Sequence, residues 1–251
     1  MRIKVTNPNT TAGMTATIAA AARAAAGPGT EILAATSPTG PASIEGHHDE
    51  AMSLPGLLAE VRKGEAEGVD GHVVACFGDP GLLAARELAR GPVLGIAEAA
   101  MHAASMLATG FSVVTTLGRT RVIAEHLVRA YGMERHCRRV RATELAVLEL
   151  DDPRSDARRR ILEECRRALE EDGSGAIVLG CAGMADLARD LQGALGVPVI
   201  DGVAVAVRFV EALVACGLGT SKRGDLAYPL PKAYTGTLAP MTPGSGVPDV
   251  A

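Results

Sequence analysis

Two stretches in opposite halves of this chain carry the same pattern, and that repeat constrains the fold more than any other feature. The first runs Val73-Val74-Ala75-Cys76-Phe77-Gly78; the second runs Ile177-Val178-Leu179-Gly180-Cys181-Ala182-Gly183. Each cysteine is followed two residues later by glycine and six residues later by leucine, Leu82 and Leu187. A second apolar run then closes each unit, Pro92-Val93-Leu94-Gly95-Ile96 and Pro198-Val199-Ile200. Short apolar runs bounded by glycine and proline read as buried parallel strands, with a helix between them. Parallel sheets bind ligands beyond the carboxyl ends of their strands. Two such units can therefore hold two thiols across one cleft. That arrangement allows a proton to leave one face of a carbon while another arrives at the opposite face.

Alternation of strand and helix patterns continues along the whole chain. Strands are expected at 2–6, 31–36, 71–76 and 93–96 in the first half, with helices at 11–25, 55–67 and 80–90. The second half reads as helix 98–108, strand 111–116, helix 119–131, strand 138–142 and helix 154–171, then strand 175–180, helix 184–195, strand 197–200 and helix 203–216. Pro55 marks the expected start of its helix. The opening strand also repeats: Ile3-Lys4-Val5-Thr6-Asn7-Pro8-Asn9-Thr10 is similar to Ser112-Val113-Val114-Thr115-Thr116-Leu117-Gly118-Arg119-Thr120. The fold class is thus α/β, with two pseudo-symmetric parallel-sheet lobes, helices on both faces and the active site in the cleft between them. The expected lobes are 1–97 with 203–235, and 98–202; residues 236–251, rich in Gly, Pro, Thr and Ser, read as a flexible tail.

Composition narrows the class of function. Aromatic residues make up 2% of the 251, too few to stack nucleic acid bases, and the formal net charge of −4 opposes binding to polyanions. No apolar run approaches the ~18 residues of a membrane span. The sequence enters a strand pattern at Met1-Arg2-Ile3-Lys4-Val5, so no signal peptide is expected. Five cysteines with no C-x-x-C pair point to a reduced, cytoplasmic setting and away from a zinc ribbon.

Cys76 and Cys181 are the expected catalytic pair. Each stands at a strand end before a glycine and a helix, where backbone N–H groups and a helix dipole favour thiolate. Cys137, Cys165 and Cys216 lack that setting, and Cys165 and Cys216 read as structural. Asp79-Pro80 reads first as an N-cap with proline in the first helical turn; a substrate contact by Asp79 is the second reading. Asn7, Thr115 and Thr116, at corresponding strand ends, are candidate substrate contacts. Phe77, Gly78, Ala182 and Gly183 offer backbone N–H groups. His47-His48-Asp49-Glu50 reads as a solvated loop rather than a metal site. No phosphate-binding, pyridoxal phosphate or metal motif is recognised, so no cofactor is expected.

These segments together resemble the hydantoin racemases of the aspartate/glutamate racemase superfamily, over about residues 2–235. The likeness rests on Asn7-Pro8-Asn9-Thr10, Cys76-Phe77-Gly78-Asp79-Pro80-Gly81-Leu82, Val113-Val114-Thr115-Thr116, Gly180-Cys181-Ala182-Gly183-Met184 and Val199-Ile200-Asp201-Gly202. Amino-acid racemases of the superfamily carry Asn-Thr after the first cysteine, which this chain lacks. Allantoin racemases are very similar to hydantoin racemases, and these residues do not separate the two. The resemblance implies cofactor-independent racemisation at C5 of a hydantoin or allantoin, with Cys76 and Cys181 as the two acid–base groups. The implied partner is a small cyclic ureide, with no nucleic acid and no membrane, and the chain is expected to form a homo-oligomer. Alternatives are a maleate isomerase-like enzyme, an amino-acid racemase, or a non-catalytic two-lobe binding protein.

Overall fold

A computed structural model describes residues 1–152 and 154–243. The first sheet contains β1 (Arg2–Asn7), β2 (Glu31–Thr36), β3 (Gly71–Val74) and β4 (Val93–Gly95), interleaved with α1 (Ala12–Ala25), α2 (His47–Ala66) and α3 (Leu82–Leu88). After α4 (Ile96–Leu107) comes the second sheet: β5 (Phe111–Thr115), β6 (Cys137–Ala142), β7 (Ala176–Leu179) and β8 (Val199–Ile200). Its helices are α5 (Gly118–Ala130), α6 (Ala157–Asp172), α7 (Ala188–Leu195) and the closing α8 (Gly202–Ala215). The sheet orders are β2-β1-β3-β4 and β6-β5-β7-β8, the same order twice. All strand pairs are parallel. The repeat read in the sequence is therefore a repeat of topology.

Burial explains why the strands read as continuous apolar runs. Every residue of β3, β5 and β7 is buried, as sheets covered on both faces require. One core cluster joins Ile3, Val5 and Val73 of the first sheet to Phe111, Val113 and Val178 of the second. Helices α4 and α8 bridge them. Helix α4 leaves the first sheet yet packs on β7 and β8; α8 leaves the second sheet and packs on α1, β3 and β4. The two helices also pack on each other. Their N-termini come so close that a Cβ on Gly202 would lie 2.3 Å from the Ile96 carbonyl oxygen, so the contact requires glycine. Each buried aliphatic side chain in this joint core contributes roughly 1.5–3 kcal/mol.

Three expectations change. Helix α2 begins at His47, not at Pro55, which lies inside it. Gly46 supplies an extended N-cap backbone, and Asp49 and Glu50 charge the first turn, which the helix dipole favours. The His47-His48-Asp49-Glu50 cluster is thus helical. Second, the chain after Cys181 forms a 3-10 turn, Ala182–Leu187, before α7 starts. Third, part of the expected tail, Gly236–Met241, forms a 3-10 turn, and Arg62 donates to the carbonyls of Met241 (2.6 Å) and Thr242 (3.4 Å). The rest of that tail, 244–251, lies outside the described residues. Among the described residues, no helix is long and apolar enough to cross a membrane.

Candidate active site

Both repeat cysteines leave their sheets in the same way. The last sheet-like bond before Cys76 runs from Ala75 N–H to the Thr6 carbonyl, 2.9 Å. Its counterpart before Cys181 runs from Gly180 N–H to the Val114 carbonyl, 2.8 Å. Each cysteine then stands two residues beyond its strand, free of the ladder geometry. The two side chains line one pocket between the lobes, with Phe77, Gly78, Thr115, Thr116 and Ala182 in the same wall. Thr115 holds the floor together: its hydroxyl donates to the Gly180 carbonyl at 3.0 Å and lies 3.2 Å from Thr120 Oγ1.

The electrostatics at Cys76 differ from the sequence expectation. Burial pushes this thiol up to about 12, although the Gly78 N–H pulls it down. Charge on Cys181, Asp79 or Glu50 would raise it further. The expected helix dipole is missing from the balance because α3 starts only at Leu82, beyond a turn closed by Asp79 N–H on the Cys76 carbonyl, 3.0 Å. A thiol raised this far keeps its proton at neutral pH. Mutual repulsion between the sulphurs further opposes two thiolates at once, so the pair holds one negative charge more readily than two.

Asp79 does not cap its own helix, and it does not line the pocket. The N-cap of α3 is Gly81, at φ 62°. Asp79 itself adopts φ 44°, a left-handed conformation that aspartate tolerates. Its buried carboxylate reaches the start of α4, accepting from Ala97 N–H (3.1 Å) and Glu98 N–H (2.8 Å). It also accepts from the Tyr131 hydroxyl, 2.7 Å, at the end of α5. Burial nevertheless pushes Asp79 up to about 7, against the pull of these three donors. The room for this carboxylate comes from Gly95, where a Cβ would lie 2.1 Å from the carboxyl carbon. At the corresponding place in the second lobe, Asp201 caps α8 from its own N-cap position, accepting from Val203 N–H (2.9 Å) and Ala204 N–H (3.0 Å).

Two more expected contacts stand back from the pocket. Asn7 is fully buried; its amide donates to Asn9 Oδ1 (2.8 Å) and Thr15 Oγ1 (3.0 Å). It props Asn9, and Asn9 is the residue in the pocket wall. The missed signal was position: Asn9 stands two residues past its strand, as both cysteines do. Gly183 lies behind Cys181 against Leu150. The structure adds Met14, Ile44, Glu50, Ile123 and Val147 to the wall. Ile44 and Val147 come from opposite lobes, and their segments are tied where Glu45 Oε1 accepts the Val147 N–H at 2.9 Å. Of these added residues, the sequence singled out only Glu50, as part of a solvated loop. Among the described residues, no group of three metal-ligating side chains is found.

Comparison with known proteins supports the same reading. The family model described as Asp/Glu/Hydantoin racemase matches residues 3–210. A hydantoin racemase from Rhizobium meliloti is 53% identical over 236 residues, covering 94% of this chain and 98% of the relative. The structure of an allantoin racemase from Klebsiella pneumoniae superposes with a TM-score of 0.95 at 60% identity, covering 97% of this chain and 99% of that one. Glutamate racemase from Francisella tularensis, in complex with D-glutamate, shares the fold at 16% identity with a TM-score of 0.63, over 88% of this chain and 84% of that one.

Proposed function

The chain belongs to the Asp/Glu/hydantoin racemase family, and from that premise we propose that it racemises 5-substituted hydantoins or allantoin without a cofactor. The observation that carries this reading is the placement of Cys76 and Cys181 at matching strand ends in one pocket. The C5 hydrogen of the ring lies next to a carbonyl and is acidic. One sulphur removes that proton as thiolate while the other delivers a proton, as thiol, to the opposite face. Cys76, whose thiol burial holds in the neutral form, is the donor in one direction, with Cys181 as the base; in the reverse direction the roles exchange. The proposed donors to the enolate oxygen are backbone N–H groups of Phe77, Gly78 and Ala182, which line the same pocket.

Asn9, Thr115 and Thr116 are the proposed ring contacts. A wall without lysine or arginine among its described residues suits a neutral ring better than an amino-acid carboxylate. The proposed functional lobes are 1–97 with 203–235, and 98–202, with catalysis at their junction. The proposed setting is a reducing cytoplasm, which five cysteines with no C-x-x-C pair suit. Assembly as a homo-oligomer is supported by the exposed Met106 and Leu107 at the end of α4, side chains an interface would cover.

The direct test is circular dichroism of (S)-allantoin, (S)-5-benzylhydantoin and L-glutamate incubated with the protein, with proton NMR of maleate, which is achiral, alongside. Loss of optical activity is expected for a cyclic ureide, with no change in glutamate and no conversion of maleate. Activity on glutamate or maleate alone would overturn the proposal.

A further inference from the structure

Glu50 is a carboxylate in a wall that is otherwise apolar, uncharged or thiol. It sits in the first turn of α2, with its side chain 30% exposed, among the residues lining the pocket of Cys76 and Cys181. No lysine or arginine pairs with it among the described residues. Among the described residues its ion-pair partner is the His47 imidazole, whose Nδ1 lies 3.8 Å from Oε2, too far for a strong bond. That imidazole is largely exposed and stacks on His126. A partly desolvated carboxylate without strong donors is unfavourable unless something else supplies them. Desolvation accordingly raises its pKa, with His47 opposing.

Two other polar groups of the wall already have protein partners and lie beside the thiols. Asn9 Oδ1 accepts from Asn7 and Thr11, and Thr115 is tied to Gly180. Thr115, Thr116 and the backbone N–H groups come from strand-end loops beside the two thiols. Glu50 comes from the segment that includes Ile44 and meets Val147. It is therefore placed for the part of a ligand outside the reacting ring. We propose that Glu50 determines specificity by accepting N–H hydrogen bonds from the C5 substituent, so that a ureido group is preferred to an apolar chain of the same outline. The same carboxylate repels an anionic substrate such as an amino acid or a dicarboxylate.

This inference rests on the cyclic-ureide reading, and its test separates the two. Allantoin carries a ureido group; 5-isobutylhydantoin carries a branched chain of nearly the same shape without donors. The experiment measures kcat/KM for both substrates with the native protein, E50Q and E50D, with thermal melts to show that the variants fold. In E50Q the allantoin to isobutylhydantoin ratio should fall about tenfold or more, the scale of a lost hydrogen bond to a charged group, and chiefly through KM. Retention of the carboxylate in E50D should give an intermediate ratio. Any change in Cys76 reactivity caused by the lost charge affects both substrates and cancels in the ratio. A ratio within twofold of the native value would overturn the assignment of Glu50. A native protein inactive on both substrates would instead overturn the ureide reading itself.

Discussion

The two lobes share one topology but cap corresponding helices by different means. In the second lobe, Asp201 sits at the N-cap of α8 and satisfies the first free N–H groups locally. In the first lobe the matching position is Gly95, and the carboxylate arrives from Asp79, in the turn after Cys76. The place matching Asp79 in the second lobe is Met184, which is fully buried in apolar company. The same helix start is thus stabilised twice, once in cis and once across the fold. The second solution also ties the loop carrying Cys76 to α4 and, through Tyr131, to α5. A local cap stabilises a helix; a remote one also ties the loop that carries it to the opposite lobe.

The sharpest way to break the symmetry between lobes is chemical. Replacing Cys76 or Cys181 by serine should lower racemisation by about 10²–10⁴-fold, the contribution of a positioned acid–base group. Each variant should retain slow deuterium exchange at C5 of one enantiomer, and the two variants should retain opposite enantiomers. Proton NMR of each pure enantiomer in D2O measures this. Normal racemisation by either variant would remove the two-base scheme, and matching exchange preferences would show that the thiols do not face opposite sides.

The capping difference predicts unequal costs. Asp79→Ala strands two N–H groups and a hydroxyl in a buried place and should lose about 3 kcal/mol in urea unfolding. Asp201→Ala should lose about 1 kcal/mol, the ordinary cost of a cap. Equal losses would erase the distinction. The stronger form transplants the second lobe's solution: Asp79→Met combined with Gly95→Asp should be more stable than the sum of the single changes by at least about 1 kcal/mol, since the pair shares one space.

Burial raises the pKa of both caps, Asp201 against its two N–H donors and Asp79 to about 7. With Asp79 held near 7, the folded protein keeps a proton that the unfolded chain releases at about 4. Its contribution to stability is therefore full below about pH 4 and is lost as pH rises through about 7. Melting temperatures between pH 4 and 8 should show this decline in the native protein and a flatter profile in Asp79→Asn. An unchanged slope would mean that another group titrates there. The smallest effect belongs to Tyr131→Phe, which removes one donor from Asp79 and should cost about 1 kcal/mol. Stability equal to the native protein would show that the hydroxyl bond contributes nothing to the lobe contact.

What the sequence revealed follows the range of the interactions involved. The cysteine pair and the parallel sheets were legible because strand, turn and burial leave a local signature, and the repeat presents it twice. Asp79 looked like an N-cap because Asp-Pro is a strong local signal; its true acceptor role depends on helix α4, far along the chain, and on the missing Cβ of Gly95. Asn7 and Asn9 share one turn, and only the packing of Asn7 against Thr15 shows which of them is the prop. Glu50 looked solvated because four polar residues in a row carry no apolar period. Its place in the wall is set by where α2 begins, which Gly46 and the helix dipole decided more strongly than Pro55.

The packing of α4 and α8 has a consequence for how the molecule is held together. Each helix is encoded at the end of one half and buried against the other, so the halves are interlocked by exchange rather than merely adjacent. A polypeptide ending after α4 would leave bare the surface that α8 covers while offering a helix with no sheet to cover. The remaining fragment would have the complementary deficit. Two copies of such a half could satisfy each other about a twofold axis, because reciprocal exchange of like elements closes after two partners. In the present chain both partners are supplied by one polypeptide. The short link from Leu107 to Phe111 therefore sets the effective concentration of one half for the other, while the swapped helices hold the architecture.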